Sequence, residues 1–103
     1  MGPVVVATTD PEIVRTIEAV GGQARLTRPD HESGTDRIAE ALAALDPDGR
    51  HDCVINLQGD LPVLEPETIR APAALLADPA VDIATPAALA AEHERDDPNV
   101  VKA

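Results

Sequence analysis

Apolar residues fall along this chain in short β-branched runs that alternate with longer stretches of helical spacing. Val4-Val5-Val6-Ala7 suits a short strand, and Thr8-Thr9-Asp10 leads out of it. Asp10 followed by Pro11 supplies a helix cap and a first helical position; Ile13, Val14, Ile17 and Val20 then recur at helical spacing until Gly21-Gly22 ends the pattern. Gln23-Ala24-Arg25-Leu26-Thr27 predicts a second, weaker strand, closed by Arg28-Pro29. From Ser33 onward, Ile38, Ala41, Leu42 and Leu45 supply the apolar face of a second helix, which runs into the turn Asp46-Pro47-Asp48-Gly49.

Val54-Ile55-Asn56-Leu57 predicts a buried strand that breaks off on Gln58, Gly59 and Asp60, with Pro62 ending it because proline has no N–H to give to a ladder. Glu65-Pro66-Glu67 marks a third helix start, with Ile69, Leu75 and Leu76 as core positions, although Pro72 inside it removes a hydrogen bond. Residues 81–85 suit a further strand, 87–94 a short helix, and 99–102 the opening of another strand. Alternation of this kind predicts an α/β fold, a mainly parallel sheet layered by helices.

At 103 residues the chain is expected to form one domain at most, with a modest stability margin. Its hydrophobic content of 44% includes no Phe, Trp or Tyr, so the core lacks the large rings that usually fill domain centres. The formal charge of -11 disfavours nonspecific binding to nucleic acid or anionic membranes, and a phosphate ligand must rely on local arginines or a metal. Cys53 lies in the apolar run and is expected to be a small buried thiol. No apolar stretch approaches the ~20 residues of a membrane helix, and Met1-Gly2-Pro3 lacks the regions of a signal peptide, so a cytoplasmic location is expected.

Two stretches carry candidate chemistry. In open α/β sheets ligands bind outside the carboxyl ends of strands, where a carboxylate such as Asp60, beside Gly59, can hold a divalent cation against a phosphate. The same residues also suit a turn chosen for backbone geometry alone. Upstream, Ser33 and Asp36 approximate a capping box, with Asp in place of Glu or Gln. That helix start also offers backbone N–H groups, a close approach at Gly34 and a fixed cation in Arg37, which together suit a nucleotide. His31 stands beside acids in a turn and reads as a polar loop residue; His51 and His93 have less to recommend them. No G-x-S-x-G elbow, Walker loop or dinucleotide glycine pattern is present.

The order Val6-Ala7-Thr8-Thr9-Asp10, then Leu26-Thr27-Arg28 with His31-Glu32-Ser33-Gly34-Thr35-Asp36-Arg37, then Asn56-Leu57-Gln58-Gly59-Asp60-Leu61-Pro62, then Asp97-Pro98-Asn99-Val100-Val101-Lys102, closely resembles the 3-deoxy-manno-octulosonate (Kdo) cytidylyltransferases, or CMP-Kdo synthetases. That family joins CTP and Kdo to give CMP-Kdo and pyrophosphate with Mg²⁺, for lipopolysaccharide synthesis, on a Rossmann-like nucleotidyltransferase fold. The resemblance implies Asp60 as a magnesium ligand, Gln58 in contact with the substrates, and Ser33, Gly34, Thr35 and Arg37 lining the cytidine pocket, with Arg28 nearby. It also implies homodimers of the full-length protein.

Family members begin with a basic glycine-containing loop for the triphosphate, and end with a region that supplies sugar contacts, a second acidic magnesium ligand and most of the dimer interface. This chain starts after the first and stops before the second, so residues 1–103 are expected to form the central part of a single nucleotidyltransferase domain, an incomplete one that is inactive alone. Leu61 stands where the family usually has Glu. Two other expectations stay open: a different cytidylyltransferase of the same fold, and a noncatalytic α/β module.

Overall fold

The computed structural model describes residues 2–98 and 100–101, in the order β1 (Val5–Thr8), α1 (Pro11–Ala19), β2 (Gln23–Leu26), α2 (Gly34–Leu45) and α3 (Pro66–Leu75), with a 3₁₀ turn at Glu92–Glu94. The chain divides into two compact units, Met1–Asn56 and Leu57–Ala103.

The first unit is organised on a β-α-β crossover. The β1 and β2 strands pair in parallel, Val5 opposite Gln23 through to Thr8 opposite Leu26. Parallel neighbours need a long connection, and α1 provides it while packing on both strands. The Asp10 carboxylate accepts the Glu12 amide at 2.8 Å and Pro11 follows with its pre-set φ, so the helix starts where the sequence predicts. It ends in a Schellman closure: Gly21 N–H reaches Glu18 O at 3.0 Å and Gly22 N–H reaches Ile17 O at 2.9 Å. Gly21 has φ +81°, and a Cβ on Gly22 would lie 2.7 Å from Ile17 Cγ2. The two glycines therefore have different duties, one conformational and one steric.

Helix α2 touches β1 and contributes Ala41, the one buried hydrophobic residue among the described residues. Ile38 and Leu42 are half-buried beside it, whereas Leu45 is exposed. At its end the Asp46 carboxylate accepts Arg50 N–H at 2.9 Å and His51 N–H at 2.8 Å, folding the predicted turn back on the helix. In the second unit α3 begins at Pro66 and carries Pro72 within it, where the ring brings no N–H to the ladder. Ile69 and Leu76 are half-buried and Leu75 is exposed. Among the described residues no helix is long and apolar enough to cross a membrane.

The α/β class and parallel sheet agree with the expectation, but among the described residues the sheet has two strands. The apolar run at 54–57 forms no strand, and Val54, Ile55 and Leu57 are 47%, 44% and 52% exposed. A strand is defined by the ladder it joins, and β-branched residues favour extended backbone only where neighbours cover them. Cys53, expected to be buried, is exposed for the same reason. Residues 81–85 likewise form no strand, and the helix expected over 87–94 contracts to the Glu92–Glu94 turn. Of the strand opening expected at 99–102, Asn99 and Lys102 lie outside the described residues, and Val100 and Val101 are not in a strand.

Candidate functional site

Parallel strands send their carboxyl ends to the same edge, so Thr8 and Leu26 deliver the chain to one place. Pairing persists one residue past the ladder: Thr27 N–H donates to Thr8 O at 2.8 Å, and the Thr27 hydroxyl also donates to Thr8 O at 3.2 Å. Thr27 is 6% exposed. Its Oγ1 accepts from Arg37 Nη1 at 3.0 Å, so a guanidinium in the first turn of α2 is tied to the carboxyl edge of the sheet.

The start of α2 is built by its cap. Ser33 is extended, with φ -138° and ψ 160°; its Oγ accepts Asp36 N–H at 3.2 Å and donates to Asp36 Oδ2 at 2.6 Å. In a capping box the residue at Asp36's position would reach back to the Ser33 amide, but the Asp36 carboxylate bonds the serine hydroxyl instead. The amides of Gly34 and Thr35 stand at the helix's first positions, where the ladder provides no partner, and the helix dipole adds a partial positive charge. Both residues are exposed.

Between this helix and the preceding loop lies a hollow of about 520 Å³ lined by Arg28, Asp30, His31, Asp36 and Glu40, with Glu32 at its side. Arg28 Nε is 3.4 Å from Asp30 Oδ1 and 3.7 Å from Glu40 Oε2, and its side chain is 68% exposed. Glu40 accepts the Arg28 main-chain N–H on both oxygens, at 3.3 and 3.2 Å, and pairs with His31 Nε2. The hydrogen bond from the His31 ring, joined by the Arg28 amide, holds the Glu40 carboxyl below the usual glutamate range against the opposing effect of desolvation. His31 lies in the loop, as expected, but its side chain is 8% exposed and its ring is packed beside a carboxylate partner.

The sequence-predicted residues thus separate by what they do. Arg28, Ser33, Gly34, Thr35 and Arg37 share one loop and one helix start in the first unit, and Arg28 and Asp36 both face the hollow. Gln58 and Asp60 belong to the second unit, where Gly59-Asp60 forms an exposed turn rather than the end of a strand. Gly59 does not have positive φ, and among the described residues nothing lies within 4 Å of a Cβ built there. Sequence reasoning missed Thr27 and Glu40; the available signal was a pair of threonines, Thr8 and Thr27, at the ends of successive strands, and for Glu40 a polar residue one turn beyond Asp36.

Four carboxylates and one guanidinium surround the hollow, which suits hydroxyl and amino donors and repels a bare polyanion. Among the described residues no group of three or more His, Cys, Asp and Glu side chains could hold a metal. Asp60 offers one hard, exposed carboxylate donor. Magnesium fits such a donor better than zinc does, because it keeps waters and shares substrate phosphates.

The cytidylyltransferase family model matches residues 2–103, across both units. The chain is 58% identical over 103 residues to the 3-deoxy-manno-octulosonate cytidylyltransferase of Methylobacterium nodulans, covering 99% of this chain and 42% of that protein. Proteins of the same name from Methylobacterium radiotolerans and Xanthobacter autotrophicus are 58% and 60% identical, over 99% of this chain and 42% and 40% of their own length. The chain spans about two fifths of the length of these curated relatives. No solved structure matches it significantly. With a family match over nearly every residue, this chain belongs to the cytidylyltransferases, a family of nucleotidyltransferase enzymes.

Proposed function

We propose that the chain carries nucleotide-handling residues of a 3-deoxy-manno-octulosonate cytidylyltransferase, a magnesium-dependent cytoplasmic enzyme that transfers CMP from CTP to Kdo and releases pyrophosphate for lipopolysaccharide synthesis. Residues 1–103 are on this reading the central part of a single nucleotidyltransferase domain, and the whole protein is a homodimer. The observation that carries the proposal is the Arg37 guanidinium, held at the carboxyl edge of a parallel sheet in the first turn of a helix. The names of the relatives agree with it.

Each residue's task follows from its chemistry. Gly34 and Thr35 present main-chain N–H groups to the cytidine nucleotide, and Arg37 adds a planar guanidinium that can bond two oxygens at once. Arg28 extends from the loop beside the hollow, whose carboxylates accept from ribose hydroxyls or the cytosine amine and leave the triphosphate outside. Gln58 contacts the substrates through its amide. Asp60 would hold the magnesium ion, which when bound neutralises charge on the triphosphate as the sugar's anomeric hydroxyl displaces pyrophosphate from the α-phosphorus.

Ser33 is the residue for which a second reading has a specific observation: its hydroxyl both donates and accepts within its own turn, as a cap alone would. Its contribution to the nucleotide is then to set the direction of the Gly34 and Thr35 amides. The experiment is a pyrophosphate-release assay on the whole protein that contains this chain. Release that requires CTP, Kdo and Mg²⁺ together, and that Asp60→Asn reduces by at least about a hundredfold, supports the proposal. Turnover that ignores Kdo points to another cytidylyltransferase, and none with any acceptor points to a noncatalytic module.

A further inference from the structure

The loop over residues 27–33 joins the end of β2 to the start of α2, and it carries Arg28 on a side chain that is 68% exposed. Such a loop would ordinarily move freely. Here a single carboxylate reaches it from the second turn of α2: Glu40 takes the Arg28 main-chain N–H on both of its oxygens and pairs with the His31 ring. The two partners are three residues apart in the loop, so fixing both fixes the segment between them. Glu40 lies four residues after Asp36, on the helix face that borders the same hollow.

We propose that Glu40 is a positioning residue of the nucleotide site, a latch that holds the Arg28–His31 segment against α2 so that the hollow beside the helix start keeps its shape for the nucleoside. The inference rests on the reading that this helix start takes a cytidine nucleotide. Glu40 does so through its two loop partners, and its effect passes through the loop backbone. Gln at this position keeps an oxygen for the Arg28 amide and an amide group for the imidazole, whereas Ala keeps neither. The geometry therefore separates the two substitutions.

The test uses the ¹⁵N-labelled full chain, CTP with Mg²⁺ as the probe, and three forms: wild type, Glu40→Gln and Glu40→Ala. Amide exchange at Arg28 reports the latch directly, CTP titration reports the site, and circular dichroism verifies that helix content is retained. The expected result is that Glu40→Ala speeds Arg28 exchange and weakens CTP binding by about tenfold each, while Glu40→Gln stays within about threefold of wild type. If Glu40→Ala releases the Arg28 amide but binds CTP like wild type, the inference is overturned and the nucleotide reading stands. If the wild-type chain binds no CTP, both fall. Should Glu40→Ala fail to fold, His31→Ala removes one of the two loop contacts, and a CTP affinity equal to wild type in that variant overturns the inference.

Discussion

Arg37 Nη1 donates to Thr27 Oγ1 at 3.0 Å, and the same hydroxyl donates onward to the Thr8 carbonyl at 3.2 Å. A hydroxyl can do both because it has one proton to give and lone pairs to receive with. The relay crosses from helix to strand to strand, and it holds a flexible cationic side chain to one end of the sheet. Thr27→Val removes both bonds while preserving shape, so it is expected to lower the stability of the first unit by about 1–2 kcal/mol in urea unfolding. CTP affinity should fall with it, and Thr27→Ser should restore both.

The Ser33 cap makes a separate prediction. Its hydroxyl satisfies the Asp36 amide at 3.2 Å, and replacing such a cap by alanine typically costs about 1 kcal/mol. Ser33→Ala should reduce helix content at residues 34–37 in NMR chemical shifts, and Ser33→Asp should recover it.

Gly22 tests the steric closure of α1. A methyl group there would meet Ile17 Cγ2 at 2.7 Å and the Ile17 carbonyl oxygen at 3.1 Å. The isoleucine side chain can shift, but the carbonyl is part of the helix and is already accepting the Gly22 amide at 2.9 Å. Gly22→Ala is expected to cost about 2 kcal/mol by thermal unfolding.

The outline of the first unit was legible in the sequence because its signals are local. Asp10-Pro11, Gly21-Gly22 and Ser33 each act within a few residues, and each marks a helix boundary that the structure keeps. The run at 54–57 carried an equally strong strand pattern and formed no strand, since a ladder needs a partner that no local pattern can supply. Cys53 was misplaced with it. In the candidate site, Arg37 and the helix start could be read from spacing, whereas Thr27 and Glu40 could not. Their roles depend on residues 10 to 19 positions away: Arg37 and Thr8 for Thr27, Arg28 for Glu40.

Acid should loosen the first unit. Glu40 is held below the ordinary glutamate value of 4.5, chiefly by the His31 hydrogen bond, and Asp46 below the ordinary aspartate value of 3.8, chiefly by the Arg50 and His51 amides. A carboxyl with a lowered folded pKa contributes stability that is fully present above its unfolded value and is lost as pH falls through the folded value. The urea midpoint should therefore decline as pH drops below about 4.5. Asp46→Asn and Glu40→Gln should each flatten that decline while lowering the midpoint at pH 7.

Calorimetric titration of CTP with Mg²⁺ into this chain, wild type against Arg37→Ala, bears most directly on the claim that the entrance of α2 receives a cytidine nucleotide. The wild type should bind, and the substitution should weaken binding by at least about tenfold, with the fold intact by circular dichroism. Equal affinity in the two proteins, or no binding by the wild type, would contradict it.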